Sequence, residues 1–206
     1  MVSIVPYQIS NLLTLGGLMH KTWFEYGNPK RQFINKVLSL HYFVHCFLKQ
    51  NHAFVAKENG KVVGCVLFRD KTVPKHIVYK LFYKLLTFFI RLNPLCKEGF
   101  EVHNFYRDNY AALIKEHNQS YDSEIVLLIV ASNMQGKHIG KNLITFAENY
   151  LKNEGLKQVF LLTDTSCNFA FYHRLGYERM AEHLGGFLYD GQKEPEYFYL
   201  YKKDLN

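Results

Sequence analysis

Apolar and polar positions recur along this chain with a spacing that changes several times, and each change marks a boundary between elements. Residues 2–8 alternate weakly and read as an edge strand, where Pro6 is tolerated because an edge position need not donate to a ladder. Across residues 11–25 the apolar positions Leu12, Leu15, Leu18, Met19 and Trp23 fall close to helical spacing, and Gly27, Asn28 and Pro29 break the pattern. A second helix is expected after it, with Phe33, Val37, Leu40, Val44 and Phe47 as its core-facing stripe. The period then shortens to two. Residues 53–57 and 62–69 read as strands around Glu58-Asn59-Gly60, and Asn-Gly between such runs predicts a hairpin.

From residue 70 to 122 the pattern is helical again. Val78, Leu81, Leu85, Phe88 and Leu92 form one stripe, and after Asn93-Pro94 a second runs through Phe105, Tyr110, Leu113 and Ile114. Residues 124–130 are a buried strand. The helix after it places Ile139, Leu143, Phe146, Ala147, Tyr150 and Leu151 on one face and ends at Asn153-Glu154-Gly155, where Gly155 suits a left-handed terminal position. A strand over 158–162, a short helix over 166–174 and strands over 177–183 and 197–202 complete the order. No internal repeat or long linker divides the chain, so residues 1–206 read as a single domain with 70–122 as a helical insert.

Composition narrows the class. A chain of 206 residues with 48% hydrophobic and 21% charged residues can bury a full core, which excludes a disordered or fibrous protein. Its 17 Phe and 15 Tyr point to a core and a cleft built largely from ring faces. The net charge of +7 favours an anionic partner. No block of basic residues and no zinc-finger, RRM or basic-zipper signature is present, so nucleic acid is not expected, and a phosphate-bearing cofactor accounts for part of the charge. Cys46, Cys65, Cys96 and Cys167 lie far apart without a C-x-x-C pair, so they read as free thiols, and no metal site is expected. The opening M-V-S-I-V-P-Y lacks the regions of a signal peptide, and cytoplasm is the expected compartment. Residues 77–95 are apolar and aromatic, but Lys80, Lys84 and Arg91 interrupt them and argue against a transmembrane helix. The plain expectation is a core-packing helix with a solvated basic face; an interfacial helix and a homodimer contact are its alternatives.

Candidate chemistry gathers at residues 134–143, M-Q-G-K-H-I-G-K-N-L, directly after the buried strand. A strand that leaves its sheet through a glycine-bearing turn into a helix lets orphan backbone N–H groups and the positive end of the helix dipole converge, and such a site attracts anions. The segment is neither G-x-x-x-x-G-K-[ST] nor G-x-G-x-x-G. It resembles the acyl-CoA pyrophosphate loop, [QR]-x-x-G-x-[GA], of the GNAT family of N-acetyltransferases. About thirty residues on, Phe171-Tyr172-His173-Arg174-Leu175-Gly176-Tyr177 resembles that family's second motif, and the likeness covers residues 123–202.

The resemblance implies an α/β (α+β) fold: a mixed, strongly twisted sheet flanked by helices, whose central strands splay apart to admit acetyl-CoA, here with the helical insert before the cofactor strand. It assigns the backbone of Leu128, Ile129 and Val130 to the pantetheine arm. The loop Gln135, Gly136, Lys137, His138, Ile139, Gly140 and Lys141 falls to the pyrophosphate, with the two lysines either adding phosphate contacts or standing as solvated helix-start charges. His138 stands where the family usually has glycine. The expectation is that it has helical dihedrals and points outward or reaches a phosphate; a positive φ would instead narrow the cradle.

Acetyl transfer to an amine needs a neutral nucleophile, a polarised thioester carbonyl and a proton for the departing thiolate. The resemblance assigns Tyr172 as the acid and Glu124, eleven residues before Gln135, as the base, with Asp122, His103, His117 or a water chain as weaker substitutes. Where the family often has asparagine this chain has Thr165, with Asn168 nearby; these residues and Ser166 favour a helix cap, and one of them is expected also to contact CoA. Cys167, beside a helix N-terminus, raises a ping-pong route through a thiol of lowered pKa. The function implied is direct acetyl transfer from acetyl-CoA to a primary amine of a small molecule or peptide, with the insert as acceptor lid. A catalytically silent acyl-CoA sensor is the alternative, and a membrane-surface or nucleic-acid binder using the basic insert a third.

Overall fold

The structure is a computed structural model that describes residues 2–25, 31–72, 76–117, 121–188 and 194–205. The proposed helix break at Gly27, Asn28 and Pro29 lies outside them. Seven strands form one sheet: β1 (Val2–Pro6), β2 (His52–Glu58), β3 (Lys61–Arg69), β4 (Glu124–Val130), β5 (Gln158–Asp164), β6 (Glu178–Gly186) and β7 (Glu196–Asp204), in the order β1-β2-β3-β4-β5-β7-β6. All neighbours are antiparallel except β4 and β5. The helices are α1 (Leu12–Met19), α2 (Gln32–Phe47), α3 (Ile77–Leu92), α4 (Lys97–His117), α5 (Ile139–Asn153) and α6 (Ala170–Arg174). A single π-helical turn, His20–Phe24, continues α1. The fold is the mixed, helix-flanked sheet expected.

The hairpin forms as the Asn-Gly signal requires, with Asn59 and Gly60 at φ 50° and 76° and Pro6 on the sheet edge opposite Phe54. In the central strand β3, residues alternate between two cores. Val66 and Phe68 face α5 with Leu143, Ile144, Ala147 and Leu151, whereas Cys65 and Leu67 face α1 and α2 with Leu15, Met19, Phe43 and Phe47. Gly64 lets β3 approach β4 closely, since a Cβ there would lie 2.8 Å from the Ile129 carbonyl oxygen.

Two stripes differ from expectation. In α2 the buried residues are Ile34, Asn35, Leu38, Ser39, His41, Phe43, Val44, Cys46 and Phe47, while Phe33 is exposed. The helix is covered by α1 on one side and by α3 with the 94–96 turn on another, so its buried arc is wider than one stripe. In α3 the correction is complete: Val78, Leu81, Leu85, Phe88 and Leu92 all face solvent, and the helix packs inward through Tyr79, Tyr83, Thr87 and Ile90. Aromatic and hydroxyl side chains reach His41, His45, Phe47 and Tyr7 from that side, and a count of aliphatic residues does not register them.

A register shift between Leu67 and Phe68 pairs Leu67 with Leu127 but Phe68 with Ile125, which leaves Val126 as an extra residue in β4. Ile125 therefore faces α5 while Leu127 and Ile129 face α1 and α2. The same bulge ends the parallel ladder. β4 and β5 pair only at Glu124–Phe160 and Ile125–Leu161 and then diverge, opening a V on the sheet side from which β4 runs into the 134–143 loop.

Candidate functional site

A cavity of about 410 Å³ occupies the V. Its floor is the part of β4 that no longer pairs with β5, Val126 to Leu128, and the end of β5, Leu161 to Asp164. Tyr42, His45 and Cys46 of α2 and His103, Tyr106, Arg107 and Tyr110 of α4 close it from above. Among the residues singled out in the sequence, Glu124, Leu128, His103, Cys167 and Tyr172 line this one space. Ile129 and Val130 continue β4 from its floor, and the Ala131 amide N–H that follows donates to the Val63 carbonyl at 2.9 Å.

Beyond β4 the chain makes a short turn, Ser132–Met134, buries Met134, and enters α5 at Ile139. The first bond inside that helix runs from the Asn142 N–H to the His138 carbonyl at 3.0 Å, so the N–H groups of Ile139, Gly140 and Lys141 have no acceptor within the helix. Gly140 lies against Phe171, Val130 and Leu128, at van der Waals distance from where its own Cβ would be, so the start of α5 meets α6 and the end of β4. Gln135, Gly136, Lys137 and His138 are exposed around it, and the Lys137 ammonium donates to the Met134 sulfur at 3.4 Å.

His138 does not have the helical dihedrals expected of it. Its φ of 60° and ψ of 10° place it in the left-handed region as the cap of α5, two residues after Gly136 at φ 79°. Histidine enters this region more readily than most residues, and the exposed ring points away from the core, which is how the position tolerates a Cβ.

Tyr172 sits on α6 with its ring 5.9 Å from that of Tyr177 and 5.3 Å from that of Phe171. Burial, then the neighbouring Cys167 and Asp164, push its phenol well above the ordinary tyrosine range, so it stays protonated. Glu124 is buried at the start of β4, directly across from Arg69, and its carboxylate accepts from the Arg69 guanidinium at 2.5 Å. A proton acceptor so held would have to give up part of that ion pair. Asp122 is turned to Lys71 at 2.6 Å, which lowers its pKa, and His117 Nε2 lies 2.6 Å from the Tyr121 hydroxyl; neither lines the cavity.

The expected capping by Thr165, Ser166 and Asn168 is corrected. The residue before α6 is Phe169, with no side-chain cap. Thr165 instead donates to Glu196 at 2.5 Å and accepts from the Tyr197 N–H at 3.2 Å, tying the β5 turn to β7, while Asn168 is exposed. The organiser of this turn is Asp164, which the sequence reading missed. Its buried carboxylate accepts from the Ser166 N–H at 2.9 Å, the Ser166 hydroxyl at 2.5 Å and the Tyr110 hydroxyl. Asp-x-Ser after a strand is a turn signature that could have found it. Cys167 is likewise corrected: burial and the adjacent Asp164 push its thiol up to about 12, the opposite of an activated nucleophile.

The other residues missed are His41 and His45, which join the named candidate His103 in a histidine cluster. His103 stands edge-on to His41 and His45 at ring separations of 5.4 and 5.0 Å, and both of its ring nitrogens are buried without a hydrogen-bond partner. Burial drives all three imidazoles down, to about 4 for His41 and His103 and to about 2 for His45, with Lys49 and Arg107 adding repulsion at His45 and His103. All three are therefore neutral near pH 7. They come from two helices far apart in sequence, and no local spacing announces them.

Residues 96–177 match the model of the acetyltransferase (GNAT) family. Among curated proteins, none matches the chain. Solved structures share its fold at low identity. The ribosomal-protein-S18-alanine N-acetyltransferase of Escherichia coli is 11% identical with a TM-score of 0.57, over 100% of this chain and 95% of that one. PaiA N-acetyltransferase of Thermoplasma acidophilum, solved in complex with coenzyme A, is 13% identical with a TM-score of 0.56 over 99% of both. The protein smu.2055 of Streptococcus mutans UA159 is 18% identical with a TM-score of 0.59, also over 99% of both.

Proposed function

We propose, from the match of residues 96–177 to the GNAT acetyltransferase family, that this chain transfers an acetyl group from acetyl-CoA directly to a primary amine of a small molecule or peptide. The observation that carries the reading is the V between β4 and β5, whose cavity brings Tyr172 to the floor strand that leads toward the start of α5, where three N–H groups lack a helical acceptor. Acetyl-CoA fits these residues: it supplies the thioester, and its pyrophosphate suits the N–H groups of Ile139, Gly140 and Lys141 at a helix N-terminus. Charge-assisted bonds of this kind contribute roughly 1.5–3 kcal/mol each, so a few amides suffice without recognition of the base.

Tyr172 is proposed to donate a hydrogen bond to the departing sulfur. A phenol held above its ordinary pKa does not give its proton fully to a thiolate whose ordinary pKa is about 8.5, so it stabilises the leaving charge rather than quenching it. The amine must arrive neutral. Lys49 and Arg107, which repel protons from the cavity histidines, disfavour an ammonium in the same space. Of the groups on the wall, Glu124 and His103 are proposed as proton acceptors, the first held by Arg69 and the second carrying unpartnered ring nitrogens. The α3–α4 insert supplies the acceptor side of the cavity through α4, consistent with a lid.

Thiol release from acetyl-CoA, followed across a panel of amines and small peptides, tests the reading. Turnover with at least one amine is expected, and Tyr172→Phe should lower kcat about 100-fold with little change in the KM for acetyl-CoA. Coenzyme A binding without turnover on any acceptor would replace the enzyme by an acyl-CoA sensor. Glu124→Gln and His103→Asn, compared across pH, assign the proton acceptor.

A further inference from the structure

The outward face of α3 is the feature that the proposed transferase reaction does not use. At about 100° per residue, its side chains fall into three sectors. Tyr79, Tyr83, Thr87 and Ile90 point inward and anchor the helix: the Tyr79 ring lies 4.4 Å from Phe47, the Tyr83 ring 4.4 Å from His41, and Thr87 3.0 Å from the His41 imidazole. A second sector, about 100° wide, holds Val78, Leu81, Leu85, Phe88, Phe89 and Leu92, each more than half exposed. Ile77 at its start and Leu95 just after its end, at 75% and 56% exposure, extend the same surface. Between these two sectors, on one side only, lie the exposed Lys80, Lys84 and Arg91.

Eight large apolar side chains thus stand more than half exposed on one surface, whereas soluble monomers rarely expose a contiguous apolar patch larger than a few hundred Å². Its flank decides what covers it. α3 contains no aspartate or glutamate, and its three cations border the apolar sector. A second copy of the same face would bring two acid-free basic helices together without opposite charges to pair them. A surface that is apolar below and negatively charged above satisfies both sectors at once. No helix among the described residues is long and apolar enough to cross a bilayer, so the contact is one of lying in the interface.

We propose that α3 docks this protein on an anionic lipid bilayer, with Leu81, Leu85, Phe88, Phe89 and Leu92 entering the acyl boundary and Lys80, Lys84 and Arg91 at the headgroups. Because α4 packs beside α3 and forms the roof of the cavity, docking holds the cavity wall close to the lipid surface.

The test is co-sedimentation of the full chain with vesicles of phosphatidylcholine alone or with about a third phosphatidylglycerol, at about 0.15 M salt. It reads binding and does not depend on turnover. Pelleting with the anionic vesicles is expected. Leu85→Ser with Phe88→Ser, and separately Lys80→Glu with Lys84→Glu, should each weaken it about tenfold or more. All four side chains are exposed, so unchanged melting temperatures check that the variants fold. A chain that stays in the supernatant with both vesicle types overturns the proposal, as does binding that neither double variant alters. A dimer in sedimentation velocity that Leu85→Ser with Phe88→Ser dissolves, with no vesicle binding, assigns the face to a second copy instead.

Discussion

Replacing His138 by glycine tests the loop proposed to hold the coenzyme pyrophosphate. The residue caps α5 at φ 60° and ψ 10°, where an L side chain sets its Cβ against the following carbonyl at a cost of about 1–2 kcal/mol. Glycine removes that strain but brings greater freedom to the unfolded chain, a cost of about 0.5–1 kcal/mol relative to residues with a Cβ. His138→Gly should therefore stabilise the fold by about 0.5–1 kcal/mol, a rise of about 1–4 °C for a chain of this size. His138→Val should go the other way by about 1–2 kcal/mol, because a β-branched residue is a genuine outlier at positive φ. Thermal melts of the three proteins, with coenzyme A titrations by calorimetry, measure both effects. Coenzyme A should bind His138→Gly at least as tightly as the parent, since the unpaired N–H groups of Ile139, Gly140 and Lys141 are untouched and the cradle loses a Cβ. If the valine variant melts with the parent and binds coenzyme A equally, the left-handed cap is wrong and the loop must start its helix earlier.

Three further outcomes follow from the cavity and its walls. Asp164→Ala should cost about 2–4 kcal/mol in a denaturant melt, because the Tyr110 hydroxyl and the Ser166 N–H and hydroxyl lose their common buried acceptor. Cys167→Ser should keep turnover within about twofold, since a thiol pushed up to about 12 is not the nucleophile at neutral pH; a loss of about 100-fold would restore the acyl-cysteine route. Acid should destabilise the protein early. His41, His45 and His103 are neutral in the fold with pKa values of about 4, 2 and 4, whereas unfolded they take up protons near 6.5, so the unfolded state binds more protons as pH falls. Stability should drop from pH 6.5 toward 4 by roughly 1.4 kcal/mol per pH unit for each histidine, and His45→Asn should reduce that slope by about a third.

What was legible along the chain was what local chemistry dictates. Asn59-Gly60 set the hairpin, the apolar run Ile125 to Val130 set a buried strand, and the glycine-bearing turn led into a helix start at Ile139. Each depends on a few neighbouring residues, their period and their allowed dihedrals. The His138 conformation was at the limit of that reach, because the side chain alone does not say whether the helix begins before or after it. The α3 stripe went further astray: its period was read correctly and its direction wrongly, since which face of an amphipathic helix is covered depends on what packs there.

The pieces of the site that only the folded chain assembled are long-range. A bulge at Val126 is invisible in a run of apolar residues, yet it ends the β4–β5 ladder after two pairs and so opens the cavity. Arg69 meets Glu124 through sheet register, Tyr110 meets Asp164 across 54 residues, and His41 and His45 meet His103 across two helices. Local sequence thus carried most backbone conformations and the place where the helix after β4 begins. Tertiary packing decided which charges are already paired, which imidazoles are dehydrated and which apolar face remains for a partner, because burial and electrostatic neighbours are properties of position in space and not of order along the chain.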